Sequence, residues 1–161
     1  MERERLLGGP VTISRLKPGS PALRVCARWR YDAFFREDGV SLEHCLEQLV
    51  AFVAKQDYEI ALLAEVGGLP AGTCLFVRRE IDPVHELTPW LAGLFVAPEF
   101  RNRSIGRELV AAIERHARER GCGRLHLYTS GAETYYALLG WRVSERFAWD
   151  GKPFVLMQRD L

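Results

Sequence analysis

Hydrophobic and polar positions come in blocks along the chain, and each block's period predicts an element. Val11 to Leu16 reads as a short first strand. Ser20-Pro21 has the form of a helix start, serine as cap and proline at the first helical position. From Ala22 to Phe35 the residues Leu23, Cys26, Trp29, Ala33 and Phe34 recur at helical spacings, and Asp38-Gly39 breaks the pattern. Ser41 caps a clearer helix, with Leu42, Cys45, Leu46, Leu49, Val50 and Val53 on one stripe. After Asp57 strands take over. Glu59 to Val66, the turn Gly67-Gly68-Leu69-Pro70, and Ala71 to Val77 predict a hairpin. Pro83 interrupts, and Trp90 to Val96 is almost wholly apolar, as in a central strand covered on both faces. Pro98 stops it. Ile105 to Arg120 is the strongest helix, lined by Ile105, Leu109, Ala112, Ile113 and Ala117 and closed by Gly121. Arg124 to Thr129 is a strand and Glu133 to Leu139 a short helix ended by Gly140. The stretch from Trp141 to Leu161 closes as a hairpin around Asp150-Gly151. This order predicts an α+β fold of three-layer α/β/α type, a mixed and mostly antiparallel central sheet flanked by helices.

Composition narrows the function classes. The 161 residues are 48% hydrophobic, enough for one domain over 1–161 with a proper core. The net charge of +1 argues against a general nucleic-acid or membrane-surface binder. No apolar run approaches the ~18 residues a membrane span needs. Met1-Glu2-Arg3-Glu4-Arg5 leads into no long apolar stretch, so the expectation is a cytoplasmic protein without a secretory signal. Cys26, Cys45, Cys74 and Cys122 are too far apart for a Cys-x-x-Cys pair and read as reduced, partly buried residues. The histidines are scattered. A metal site is not expected.

The informative stretch runs from Leu91 to Arg107. An apolar strand ends at Val96, a loop follows, and a strong helix begins near Ser104. A helix N-terminus presents unpaired N–H groups and about half a positive charge, so it attracts anions. Arg101, Arg103 and Arg107 crowd that end, where cations oppose the helix dipole at about 0.3–1 kcal/mol each unless an anion offsets them. Neither a Walker phosphate loop nor a dinucleotide fingerprint is present.

Arg101-Asn102-Arg103-Ser104-Ile105-Gly106, set between strand and helix, resembles the acyl-CoA signature of the GNAT superfamily of N-acetyltransferases, Gln/Arg-x-x-Gly-x-Gly/Ala. The departure is Ser104 in place of the usual glycine. Its hydroxyl could bond phosphate or cap the helix. The preceding Trp90 to Phe100 is similar to the family's strand with its Val-x-Pro-x-aromatic end, and Thr134 to Trp141 to its Phe-Tyr-x-x-Leu-Gly-Phe segment.

The resemblance implies a GNAT-like acyltransferase fold with acetyl-CoA as co-substrate and no metal. It implies a cofactor site of Leu94, Phe95 and Val96, whose backbone pairs with the pantetheine arm, and of Arg101, Asn102, Arg103, Ser104, Ile105, Gly106 and Arg107, which hold the diphosphate. A bulge at Gly93 is compatible with this. The implied reaction is direct attack of a primary amine on the thioester in a ternary complex. Tyr136 matches the tyrosine that protonates the leaving thiolate, and Tyr135 takes the adjacent packing position. The base is not assigned by the resemblance: Glu86 is the first candidate, His85, Glu99 and Glu133 follow, and a water chain would also serve.

The acceptor, a small molecule or a peptide amine, is not identified. Trp29, Tyr31, Phe34, Phe35 and Trp90 could shape its pocket, and Asp32, Glu37, Asp38, Glu80, Asp82 and Glu86 could attract a cation. Two other readings stay open, a non-catalytic acyl-CoA-binding module of the same fold and a nucleic-acid binder. Glu99, Glu108, Glu114 and Glu119 interrupt the basic track that the last would need. Pairing of the C-terminal strands in a homodimer is also open.

Overall fold

The computed structural model describes residues 2–80 and 86–161. A short helix, α1 (Glu2–Leu7), precedes β1 (Val11–Arg15). Then come α2 (Leu23–Arg30), a π-helical turn (Tyr31–Phe35), a 3-10 turn (Arg36–Asp38) and α3 (Leu42–Ala54). The strands β2 (Ile60–Val66), β3 (Leu69–Val77) and β4 (Trp90–Val96) lead to α4 (Ile105–Glu119). The chain ends with β5 (Arg124–Thr129), α5 (Glu133–Leu138), β6 (Arg142–Trp149) and β7 (Lys152–Asp160). The described residues form a seven-stranded sheet of order β1-β2-β3-β4-β5-β7-β6. Of its neighbouring pairs only β4 and β5 run parallel.

Both predicted hairpins form, each on two residues of positive φ: Gly67 and Gly68, then Asp150 and Gly151. Ser41 caps α3, its hydroxyl accepting from the His44 N–H at 3.1 Å. Two departures stand out. The helix expected from Ala22 to Phe35 is α-helical only to Arg30 and then widens into the π turn. Widened turns of this kind often mark functional positions. And α1 was not expected, because its alternating Glu and Arg residues carry no apolar stripe.

The sheet is buried on both faces, which is why its central strands read as unbroken apolar runs. On one face Ile105, Leu109, Ile113 and Ala117 of α4 pack on Leu62, Cys74, Phe76, Leu91 and Leu127. On the other, Leu23, Cys26 and Ala27 of α2 and Leu49 and Val53 of α3 pack on Leu63, Leu75, Trp90 and Ala92. Adjacent residues therefore point to opposite cores. Ile113 is wholly buried, so Ile113→Ala is expected to lower the unfolding free energy by about 2–5 kcal/mol, read by chemical denaturation. An effect below 1 kcal/mol would mean that α4 is not a core element.

Candidate active site

The loop after β4 is held from below. The Ala97 N–H donates to the Ala71 carbonyl at 2.8 Å, and Phe100 is buried at the end of a 3-10 turn. Arg101, Asn102, Arg103, Ser104 and Arg107 are exposed, while Ile105 and Gly106 are buried. Asn102 and Ser104 both adopt left-handed φ, 64° and 63°. The Glu108 N–H donates to the Ser104 carbonyl at 3.0 Å. The N–H groups of Ile105, Gly106 and Arg107 precede that bond and have no carbonyl a turn behind them.

The Ser104 hydroxyl does not cap them. Capping serines take extended φ and ψ, and the left-handed backbone here removes that geometry. The family's glycine suits this conformation, which costs other residues roughly 1 kcal/mol. Ser104→Gly is therefore expected to raise thermal stability slightly and to leave CoA affinity equal or tighter. A large loss of affinity in calorimetry would show that the hydroxyl is used.

Two arginines of the loop are partly committed. Arg101 donates from Nε to the Val96 carbonyl at 3.0 Å and lies 5.7 Å from the Phe95 ring centre. Arg103 donates to the Leu7 carbonyl, which ties the loop to α1, and lies over Phe100. Each guanidinium has five N–H donors, so each retains donors for an anion.

β4 and β5 meet only at Trp90 and His126, then part. Beyond that pair, the edge of β4 facing β5 is open. The Phe95 carbonyl lies against Gly72 of β3, where a Cβ would sit 2.7 Å from it. Phe95 is thus turned to its sheet partner, and by alternation the open edge belongs to Leu94 and Val96. Of the three expected residues Phe95 thus faces β3, and the Val96 carbonyl already accepts from Arg101 Nε at 3.0 Å. Phe95 contributes its ring instead, stacked on Trp29 at 5.4 Å. Gly93 has φ 62°, and β3 and β4 slip register between Thr73 and Leu75, so the expected bulge is present.

The two tyrosines of α5 differ sharply. Tyr136 is 7% exposed and packs on Trp141 and Tyr135. Burial drives its phenol far above the ordinary value, with Cys74 and Tyr135 adding to the effect. No side-chain hydrogen bond engages its hydroxyl among the described residues. Tyr135, read as packing, is 39% exposed. Its hydroxyl reaches the start of α4, where a Cβ at Gly106 would lie 2.5 Å from it. Nothing in the sequence points to that contact.

On the opposite face stands a group that the sequence reading overlooked. Arg30, the last residue of α2, packs its guanidinium against the Gly93 bulge and 5.4 Å from the Phe35 ring centre. Its Nη1 is shielded from solvent and has no hydrogen-bond partner among the described residues. One signal was available: Arg30 lies four residues after Cys26 and seven after Leu23, on the buried stripe of α2. Glu80 is close enough to exchange charge effects with Arg30. Burial pushes its carboxyl up while the Arg30 charge pulls it down. The Tyr128 phenol is pushed up to about 12 by burial first, then by Glu80 and Asp38, with Arg30 opposing. Glu86 is exposed ahead of β4. Glu99 is exposed on the cofactor loop, and Glu133 is bound to Arg146 at 2.8 Å. His85, Asp82 and Pro83 lie outside the described residues.

Among the described residues no cluster of three or more potential metal ligands occurs, and no helix is long and apolar enough to cross a membrane.

Comparison with known proteins agrees with this geometry. The chain is 39% identical over 69 residues to mouse N-alpha-acetyltransferase 80, covering 43% of this chain and 21% of that protein. It is 29% identical over 106 residues to an uncharacterized N-acetyltransferase of Methanocaldococcus jannaschii, covering 58% and 44%. It is 34% identical over 61 residues to the aminoglycoside N(6')-acetyltransferase type 1 of Salmonella typhimurium, covering 35% and 42%. The matches thus span less than half the length of each relative.

Among solved structures, a GNAT-family protein of Desulfovibrio desulfuricans superposes with TM-score 0.74 at 20% identity, over 94% of this chain and 99% of that one. A Salmonella typhimurium structure with its cofactor acetyl-CoA gives 0.73 at 16%, over 93% of each chain. An aminoglycoside 6'-N-acetyltransferase complexed with coenzyme A gives 0.71 at 17%, over 92% and 96%. The sequence model of the acetyltransferase (GNAT) family matches residues 24–141. The chain belongs to the acetyltransferase (GNAT) family.

Proposed function

We propose that the protein transfers the acetyl group of acetyl-CoA to a primary amine within a ternary complex. The observation that carries this reading is the parting of β4 from β5 beside a helix N-terminus ringed by Arg101, Arg103 and Arg107. Unpaired strand backbone is a template for a linear chain of amides such as pantetheine. The free N–H groups of Ile105, Gly106 and Arg107, with the three guanidinium groups, suit a diphosphate. Structures of this fold with coenzyme A and acetyl-CoA bound agree with it.

An alkyl amine of pKa ~10.4 is only about one part in 2,500 neutral at pH 7, a penalty of roughly 4.6 kcal/mol. A base must therefore take its proton. We assign that role to Glu80, a half-buried residue beyond the end of β3 whose carboxyl desolvation pushes up, with the Arg30 charge opposing. Glu86, the base expected from sequence, is exposed to solvent. The neutral amine nitrogen attacks the thioester carbon and the C–S bond breaks. The departing sulfur takes a proton from the Tyr136 hydroxyl, and the phenolate recovers one from the nitrogen, which gives up its second proton as the amide forms. Direct attack is favoured over an acetyl-cysteine route. Burial pushes the thiols of Cys26 and Cys74 up to about 12, so neither supplies a thiolate near neutral pH.

The test is a melting curve with acetyl-CoA, followed by thiol release in the presence of a panel of amines. A rise of several degrees and amine-dependent release are expected. No shift at millimolar ligand would end this reading, and a shift without release for any amine would reduce it to acyl-CoA binding. Arg101→Ala should raise the CoA dissociation constant about tenfold with kcat little changed, because it acts far from the reacting carbon.

A further inference from the structure

Helix α5, which carries Tyr136, has six residues, too few to hold a helix without tertiary support. It is fixed at two points. Near its start the Tyr135 hydroxyl reaches Gly106 of α4. At its end the chain folds back on Tyr136. The Leu139 and Trp141 N–H groups both donate to the Tyr136 carbonyl at 3.0 Å, and the Gly140 N–H donates to the Ala137 carbonyl at 3.1 Å. Gly140 makes this turn with φ 95°.

Arg159 of β7 lies against that turn. A Cβ on residue 140 would sit 1.8 Å from its Nη1 and 2.9 Å from its Cζ, so the guanidinium fills the space a side chain would take. The Nε of the same group lies 2.5 Å from Oε1 of Glu114 in α4. Both paired atoms are shielded from solvent. Glu114 is buried, whereas Glu108 and Glu119 on the same helix are exposed. The pair thus joins β7, the turn after α5, and the helix whose N-terminus forms the anion cradle. A buried ion pair is a poor stabiliser, because desolvation offsets most of its attraction, and its best attested use is to fix register between elements.

We propose that Glu114 and Arg159 are positioning residues of the reaction. They hold the turn after α5, and through it the Tyr136 phenol, at a set distance from the helix that cradles the cofactor. This rests on the acetyltransferase reading above, in which Tyr136 protonates the sulfur, and adds two residues that act only through another. Tyr136 stands one helical turn before Gly140, so a tilt of that turn carries to the ring. Proton donation requires hydrogen-bond reach, and a misplacement of about 1 Å can cost about a hundredfold in rate.

The test compares Arg159→Met and the paired replacement of Glu114→Leu with Arg159→Met, which leaves no buried charge unmatched. Thiol release is measured with the best amine of the panel, in the wild-type and the Tyr136→Phe backgrounds. In the first background both changes should lower kcat about tenfold, with the KM for acetyl-CoA within about twofold. The paired replacement should still melt within a few degrees of wild type. In the Tyr136→Phe background both should alter kcat by less than about twofold, because the group they place is gone. Arg159→Lys, which keeps the charge, should recover part of the loss. An equal fall in both backgrounds would overturn the inference, since that marks a general loss of structure, and so would an unchanged kcat in the first.

The ring is also read without turnover, by fluorine NMR of protein labelled with 3-fluorotyrosine, the Tyr136 resonance being the one lost in Tyr136→Phe. It should shift or broaden in Arg159→Met and in the paired replacement. A resonance unmoved in both would overturn the inference even where no amine is acetylated. If Tyr136→Phe itself leaves kcat unchanged, the proton-donor reading has failed, and a moved resonance still upholds the placing of the ring by this pair.

Discussion

Tyr136→Phe is expected to lower kcat about 10²–10³-fold while the KM for acetyl-CoA moves by less than about threefold. The substitution removes one O–H and leaves the ring that packs on Tyr135 and Trp141. Its hydroxyl has no competing side-chain partner among the described residues, and burial keeps the phenol protonated well past neutrality. It can therefore donate to a leaving thiolate throughout the working pH range without titrating itself. Tyr135→Phe makes the companion measurement. Its hydroxyl stands at Gly106, beside the anion cradle, so its loss should weaken CoA binding and leave kcat nearly intact. Steady-state kinetics with both variants separates the roles. If the larger kcat loss falls on Tyr135, the assignment of the proton donor has to be exchanged between them.

Glu80→Gln is expected to reduce kcat/KM about 10–100-fold near neutral pH and to abolish the acid limb of the pH profile. The direction follows from the shift. Burial raises the Glu80 carboxyl above the usual glutamate value, with the Arg30 charge opposing. A base must be ionised, so wild-type activity should fall as the pH drops through that raised value and be full above it. The amide cannot titrate, so the variant should be slow and flat over the same range. Glu86 is exposed to solvent, and Glu86→Gln should change kcat/KM by less than about threefold. A wild-type acid limb that survives in Glu80→Gln and disappears in Glu86→Gln would return the base to Glu86.

The two carboxylates also show where reading along the chain stops. Both were visible as acidic residues flanking the approach to β4, and spacing alone favoured the nearer. What separates them is burial. Glu80 is half-buried and feels the charge of Arg30 from another element, and no periodicity in residues 78–90 records that environment. Tyr135 and Tyr136 make the same point within one helix. Adjacent residues leave a helix about 100° apart, so one must face the core and the other the start of α4. Which does so depends on how α5 lies against α4.

Ser104 is intermediate. Its place in the signature is plain from sequence, but its inability to cap α4 follows from a φ of 63° that only the folded loop displays.

Local chemistry determined much of this protein before any contact was known. The hairpin turns at Gly67-Gly68 and Asp150-Gly151, the Ser41 cap, the two-sided apolar run of β4 and the cationic start of α4 are written in neighbouring residues. Each depends on backbone preference or on periodic burial over a few positions. Tertiary structure alone decided the parting of β4 from β5, the turn of Phe95 toward β3, and the meeting of Arg30 with Gly93 across 63 positions of chain. These depend on which strand edge goes unpaired and on which charge is left without a partner. Both are properties of packing in three dimensions, where residues far apart in sequence compete for the same space.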